Sequence, residues 1–169
     1  MTTTLPIFSH TIQSPIGQIT LHATHEVLVE LKIWPNDSNN TVPLQQKPAI
    51  PQKTPLLAEV EHQLQLYFSG QLQTFSLPVS FTGTNFQKSI WKALQNIPYG
   101  TLTSYSDIAQ SISRPKAVRA AGQMIGKNPI PIIVPCHRVI GKNGHLTGFF
   151  YGIPMKSWLL SHEGCLIKK

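Results

Sequence analysis

The chain has 169 residues, of which 41% are hydrophobic and 12% charged. That is apolar enough for a packed core in one ordinary domain or two small ones, and it excludes a long disordered chain. No stretch of eighteen apolar residues occurs, and Met1 to His10 lacks a basic start followed by an apolar run, so a soluble, uncleaved, cytoplasmic protein with no membrane association is expected. Two cysteines, Cys136 and Cys165, are too few for a secreted disulfide scaffold and read as free thiols.

The charge is uneven along the chain. Residues 1–80 hold three Lys and Arg against five Asp and Glu, a net of −2, whereas residues 81–169 hold eleven against two, a net of +9. A basic half of this kind suits a polyanion, and nucleic acid is the expected partner class. A merely basic, solvated surface would carry the same total.

In chain order, Phe8 to Trp34 alternates short β-like runs with turn residues: Ser14-Pro15-Ile16 and Gly17 precede Ile19-Thr20-Leu21, and Val27 to Ile33 forms another run. A small antiparallel sheet is predicted. Pro35 to Lys53, rich in Pro, Asn, Ser and Gln, reads as loop. Thr54-Pro55 supplies a helix cap and a first-turn proline, Leu56, Val60, Leu64 and Tyr67 follow at helical spacing, and Gly70 stops the helix. Gln71 to Thr84 is again loop, and the domain boundary is placed there, giving domains of 1–80 and 81–169.

The second half reads as helical. Phe86, Ile90, Trp91, Leu94 and Ile97 mark one helix, closed by Pro98-Tyr99-Gly100. A shorter one starts at a Ser104 cap and turns Tyr105, Ile108, Ala109 and Ile112 inward. After Ser113-Arg114-Pro115, the small-residue stretch Lys116 to Ile125 forms a third that stops at Gly126. Lys116, Arg119 and Lys127 lie on or beside it. Two short helices and a tight turn fit a helix-turn-helix, although such pairs also serve as ordinary packing units.

Ile130-Pro131-Ile132-Ile133-Val134-Pro135 is too proline-rich for a helix or a central strand and holds the next residues rigidly. Those residues are Cys136-His137-Arg138, where neighbouring positive charge favours a thiolate. A lone buried cysteine is more often inert. Cys136, His137, His162 and Cys165 lack the spacing of metal ligands, so neither metal nor cofactor is expected.

Phe86-Gln87 with Trp91, Ile97-Pro98-Tyr99-Gly100, Ser104-Tyr105, Pro115-Lys116-Ala117-Val118-Arg119-Ala120, Gly126-Lys127-Asn128-Pro129 and Pro135-Cys136-His137-Arg138-Val139 together resemble the O6-alkylguanine-DNA alkyltransferase family. The resemblance spans Phe86 to Gly164; before residue 80 it rests on Ser14-Pro15-Ile16-Gly17 and Tyr67-Phe68-Ser69-Gly70. It implies an α+β protein: a ribonuclease H-like N-terminal sheet with a helix, then a mainly helical C-terminal domain with a helix-turn-helix or winged helix. It further implies a monomer with no obligate protein partner that binds double-stranded DNA containing O6-alkylguanine, with O4-alkylthymine left open. The lesion is flipped out of the stack, and its alkyl group moves irreversibly to Cys136, once per molecule.

By the same resemblance, His137 takes the proton of Cys136 through a water and is held by Glu163, in the logic of a nucleophile, base and orienting carboxylate. Asn128 is a hinge between the DNA-reading helix and the cysteine loop. Arg119 fills the gap left by the flipped nucleotide, and Tyr105 contacts the lesion's phosphate and N3. The carbonyls of Cys136 and Val139 receive the guanine amino group, the backbone N–H at Phe150 contacts O6, and Phe149 and Pro131 belong to the binding surface. Lys156 braces the active-site loop from a last helix begun by Pro154, on which Trp158 and Leu159 face inward.

The chain departs from the family at Phe149-Phe150-Tyr151-Gly152, where Phe150 and Tyr151 replace a small residue and a glycine, so a bulkier pocket rim is expected. Two other readings compete: a DNA-binding module without acceptor chemistry, against which Cys136 stands, and a cysteine hydrolase using Cys136, His137 and Glu163, for which no substrate groove is apparent.

Overall fold

Three strands open the chain in a computed structural model that describes residues 5–36 and 48–166. Strand β1 (Phe8–Ser14) turns through Pro15-Ile16 into β2 (Gly17–Ala23), and β3 (Leu28–Trp34) pairs antiparallel with β2. The loop expected over Pro35 to Lys53 is corrected at its end: Ile50–Pro51 forms β4, parallel to β1 at the sheet edge, in the order β3-β2-β1-β4. Residues 37–47 of that loop lie outside the described residues. A two-residue edge strand ending in proline has neither the length nor the alternation that signals a strand.

Helix α1 (Pro55–Phe68) begins as the sequence predicts, with the Thr54 hydroxyl accepting from the Leu57 amide at 3.3 Å. Leu57, Val60, Leu64 and Tyr67 are fully buried, as are Ile19, Leu21, Ala23 and Ile33 from one face of β2 and β3. Each such apolar side chain contributes about 1.5–3 kcal/mol on burial. Gln63 pins the segment after the helix, accepting from the Ser76 amide at 2.9 Å and donating to its carbonyl at 3.2 Å. The Gln71 to Thr84 stretch also gains a pairing that was not expected, a parallel bridge of Val79 to Leu28.

The chain divides into two compact units, Met1–Ser80 and Phe81–Lys169. In the second, α2 (Asn85–Leu94) starts at a capping box formed by Thr84 and Gln87 and ends before Ile97, earlier than its apolar spacing suggests. Trp91 on α2 donates its indole N–H to the Met124 carbonyl at 2.9 Å, tying it to α4 (Val118–Gly126). Between them, β5 (Thr103–Ser104) runs into α3 (Tyr105–Ser111), capped by Ser104 and Asp107. On α3, Ile108 and Ala109 are buried, but Tyr105 and Ile112 are only half-buried. Gly126 does not stop α4 through a left-handed turn; it is the last helical residue, and Lys127 is the cap. After a 3-10 turn at Cys136–Arg138, β6 (Val139–Ile140) pairs parallel with β5, and α5 (Ile153–His162) follows.

Trp158 does not face inward. The buried positions of α5 are Met155, Lys156, Leu159 and Leu160, a stripe that Trp158 misses by its helical angle; the residue is 38% exposed and its ring stacks on His162 at 5.2 Å. Among the described residues no helix is long and apolar enough to cross a membrane.

Gly17 is the tightest backbone approach in the first unit. Its φ is +122°, and a Cβ there would lie 2.2 Å from the Trp34 carbonyl oxygen. Gly17→Ala should cost about 2 kcal/mol or more of stability, read as a lower urea midpoint with an unchanged slope. Thr54→Ala, which removes only a cap, should cost about 1 kcal/mol.

Candidate active site

Ile130 to Pro135 is buried throughout, and it doubles back on itself: the Ile133 amide donates to the Pro131 carbonyl and the Val134 amide to the Ile130 carbonyl, both at 2.9 Å. Ile132 has a φ of +73°, a left-handed conformation that strains a β-branched residue. Asn128 holds both ends of this turn, donating from Nδ2 to the Val134 carbonyl at 2.7 Å and accepting from the Ile130 amide at 3.0 Å. The turn delivers Cys136 to the wall of a cavity of about 140 Å³. The other walls come from Tyr105, from Gly122, Ile125, Gly126 and Asn128 at the end of α4, from Pro131, and from Gly148 to Tyr151.

Behind the cysteine, His137 and Glu163 are sealed from solvent, and His137 Nε2 donates to Glu163 Oε1 at 2.7 Å. An ionised carboxylate only accepts, so Nε2 carries the hydrogen and Nδ1 the lone pair. Nδ1 has no hydrogen-bond partner among the described residues. Glu163 also accepts from Arg138 Nε at 2.8 Å, Arg138 Nη2 at 3.0 Å and the Gly100 amide at 3.2 Å. Burial acts to raise this carboxyl, but the hydrogen bonds from His137 and Arg138 and the Arg138 charge outweigh it and hold the group well below the usual carboxylate range. His137 is pushed down, chiefly by burial, with Glu163 opposing and the charges of Arg138 and Lys156 adding to the effect.

Two family models cover the chain: residues 7–81 match the 6-O-methylguanine DNA methyltransferase ribonuclease-like domain, and residues 85–165 match the DNA binding domain of the same methyltransferase. The chain belongs to this family. It is 45% identical to the constitutive methylated-DNA--protein-cysteine methyltransferase of Bacillus subtilis, over 90% of this chain and 93% of that one. It is 43% identical to the methylated-DNA--protein-cysteine methyltransferase of Methanosarcina acetivorans, over 90% and 95%. A crystal structure of Mycobacterium tuberculosis OGT in complex with DNA superposes with a TM-score of 0.83 at 42% identity, covering 92% of both chains.

Within this methyltransferase fold, the expected site residues fall into three places. Cys136, Asn128, Tyr105, Pro131, Phe149 and Phe150 line the cavity. His137, Glu163 and Lys156 lie in the buried layer. Arg119 stands exposed on α4 and does not line the cavity. Val139 is buried, and its carbonyl accepts from Lys156 Nζ at 2.6 Å. The same ammonium donates to the carbonyls of Thr147 at 2.9 Å and Gly148 at 3.2 Å, and Tyr105 donates to Thr147 at 2.8 Å, so Lys156 and Tyr105 together hold the segment that carries the aromatic wall. Burial brings Lys156 down to about 8, against the pull of Cys136.

The expectation that neighbouring positive charge makes Cys136 a ready thiolate is corrected. Burial pushes the thiol up, and the Asn128 hydrogen bond, the Lys156 charge and nearby backbone N–H groups only partly offset it. The Arg138 guanidinium is committed instead to Glu163 and to the Ile97 carbonyl, at 2.6 Å. Sequence reasoning missed Arg138 as a partner of Glu163, and missed Gly122 and Ile125 as cavity walls; Tyr151, expected at the pocket rim, does line the cavity. The small-residue spacing of α4 was the usable signal for Gly122, which faces the Tyr105 ring.

Because Glu163 ionises more readily folded than unfolded, its contribution to stability is fully present above its unfolded pKa, near 4.3, and is lost as pH falls toward the folded value. Glu163→Gln should therefore cost about 3–5 kcal/mol at pH 7, leaving Arg138 buried without its counter-charge. The gap between the two proteins should narrow below about pH 4 in urea unfolding.

Proposed function

We propose that this chain performs direct-reversal DNA repair by taking the alkyl group of O6-alkylguanine onto Cys136, in a single turnover. The observation that carries the assignment to Cys136 is its position: at the wall of an open, mainly apolar cavity, with a buried His137–Glu163 pair behind it, in a chain of the methyltransferase family. The thiol gives its proton to His137 through a water. The thiolate attacks the alkyl carbon, the S–C bond forms as the C–O bond breaks, and the bonding pair stays on the guanine, which takes up a proton.

Helices α3 and α4 with the turn between them act as a helix-turn-helix. The turn contains Ser113, at a φ of +58°, and Arg114, Lys116, Arg119 and Lys127 all stand exposed on or beside α4, where they meet phosphates. A base inside a duplex does not reach a recessed thiol, so the lesion is flipped into the cavity, Arg119 fills its place and Tyr105 contacts the flipped nucleotide. The guanine amino group is read by backbone carbonyls at Cys136 and Val139, and O6 by the Phe150 N–H. The protein acts as a monomer in the cytoplasm, on double-stranded DNA.

Incubation with duplex DNA containing O6-methylguanine, followed by intact mass, tests this reading. The native protein should gain one methyl group on Cys136, and Cys136→Ser should gain none while binding the same DNA within a few-fold. Methylation of Cys165, or binding without any adduct in the native protein, would sink the assignment.

Substituent size gives a second test. Tyr151 is buried and packs edge-on against Phe149 and Phe150, at 6.0 and 5.0 Å, so three rings close one side of a cavity of about 140 Å³, close to the ~150 Å³ that holds a single benzene. O6-benzylguanine should inactivate the protein slowly relative to methyl transfer, and Tyr151→Gly should speed inactivation by benzylguanine more than it changes methyl repair. Rapid native inactivation that falls in the variant would show the rings to be a stacking platform.

A further inference from the structure

The Arg138 side chain is buried, at 6% exposure, against a Glu163 side chain that is fully buried. Its fork takes both oxygens of Glu163, its third contact is the Ile97 carbonyl, and its guanidinium lies 5.7 Å from the Tyr99 ring. Among the described residues, Glu163 accepts one bond from His137 and three from Arg138 and Gly100. A buried carboxylate facing only an imidazole would draw a proton onto that imidazole, since the charged pair is better satisfied than a lone anion. An imidazole already protonated accepts nothing from a thiol.

We propose that Arg138 is a positioning residue of the acceptor site: by neutralising and clamping Glu163 it keeps His137 oriented yet unprotonated, free to receive the proton of Cys136. This rests on His137 acting as the base. With Arg138 in place the resting cluster of imidazole, carboxylate and guanidinium is neutral as a whole, so a proton arriving on His137 comes only at the moment the neighbouring thiol becomes an anion. The charged and titratable groups around His137 are Cys136 beside it, Glu163 and Lys156 from α5 and its C-terminal end, and Arg138 itself. Tyr99 and Cys165 feel the charges of both Glu163 and Arg138. Arg138 and Lys156 both act against protonation of His137 and only Glu163 acts for it, and Arg138 is the one cation of the two that directly contacts Glu163.

The test uses the full chain and two variants. Arg138→Gln removes the charge but keeps an amide donor, and Arg138→Lys keeps the charge but loses the fork. His137 is titrated by NMR of its imidazole, and single-turnover transfer from O6-methylguanine duplex is followed against pH. The Lys variant should titrate near the native position, and the Gln variant about one pH unit or more higher. The acidic limb of transfer should move with it, a loss of about tenfold in rate per unit below the new limb. A residue needed only for folding would affect both variants alike. If both variants titrate at the native position, or if the Lys variant alone folds and titrates a unit higher, the proposal is overturned. If the titration moves as expected while the limb stays, Arg138 does control the imidazole, and the part assigned to His137 in transfer is what falls; His137→Gln transferring at the native rate would show the same thing directly.

Discussion

A carboxylate sealed from solvent must find donors for both oxygens, and Glu163 finds them on two other segments of the chain: His137 and Arg138 in the 3-10 turn, and Gly100 in the loop after α2. Leaving any of these bonds unmade would cost more than an ordinary surface interaction could return. The end of α5, the cysteine turn and the Ile97 to Leu102 loop are thereby fixed to one another. Because β5 begins directly after that loop and pairs with β6 directly after Arg138, the same knot sets the register of the small parallel pair. The placement of Cys136 follows from this knot on one side and from the Asn128 bracket on the other.

What could be read from the sequence was whatever local chemistry dictates. The Thr54 cap, the Ser104 cap and the buried spacing of α1 are signals carried within a few residues, and the elements stand where those signals put them, save that the first buried position of α1 is Leu57 and not the expected Leu56, which is half-buried. The short β4 escaped because pairing with β1 is decided by a distant strand and not by its own two residues. Trp158 was misplaced because a large aromatic is easily taken for core. The stripe Met155, Lys156, Leu159, Leu160 is correct only if a lysine is admitted to the buried face, and Lys156 is admitted because three carbonyls receive its ammonium. That same stripe, continued one turn, reaches Glu163.

The site was legible in part for the same reason. Cys136 next to His137 is a local pattern that suggests chemistry. The partner carboxylate is 26 positions away from His137, and no spacing rule links the two; the family resemblance named Glu163, and the geometry places it beside His137. Arg138 was read as an aid to the thiolate because it is close in sequence. In a 3-10 turn adjacent side chains diverge, and its fork had a better match in the carboxylate than in the sulfur.

That divergence changes how the thiol is understood. Cysteines that work through many cycles are commonly held as thiolates by adjacent positive charge. Here burial keeps Cys136 protonated at rest, and the nearby cation that acts on it, Lys156, is itself weakened by burial. A neutral thiol is a poor nucleophile toward stray electrophiles and a poor target for oxidation. For an acceptor whose thioether product has no easy reverse reaction, every unproductive reaction destroys a whole molecule, so a latent thiol has an advantage that a permanently activated one lacks. In the proposed reaction, a flat base filling the cavity excludes bulk solvent from it and so strengthens the local field of Lys156 and Asn128. In that proposed reaction the neutral His137 then supplies the acceptor for the proton. On the proposed mechanism, activation belongs to the complex with the lesion and not to the free protein, which is why the base would have to be kept unprotonated in advance.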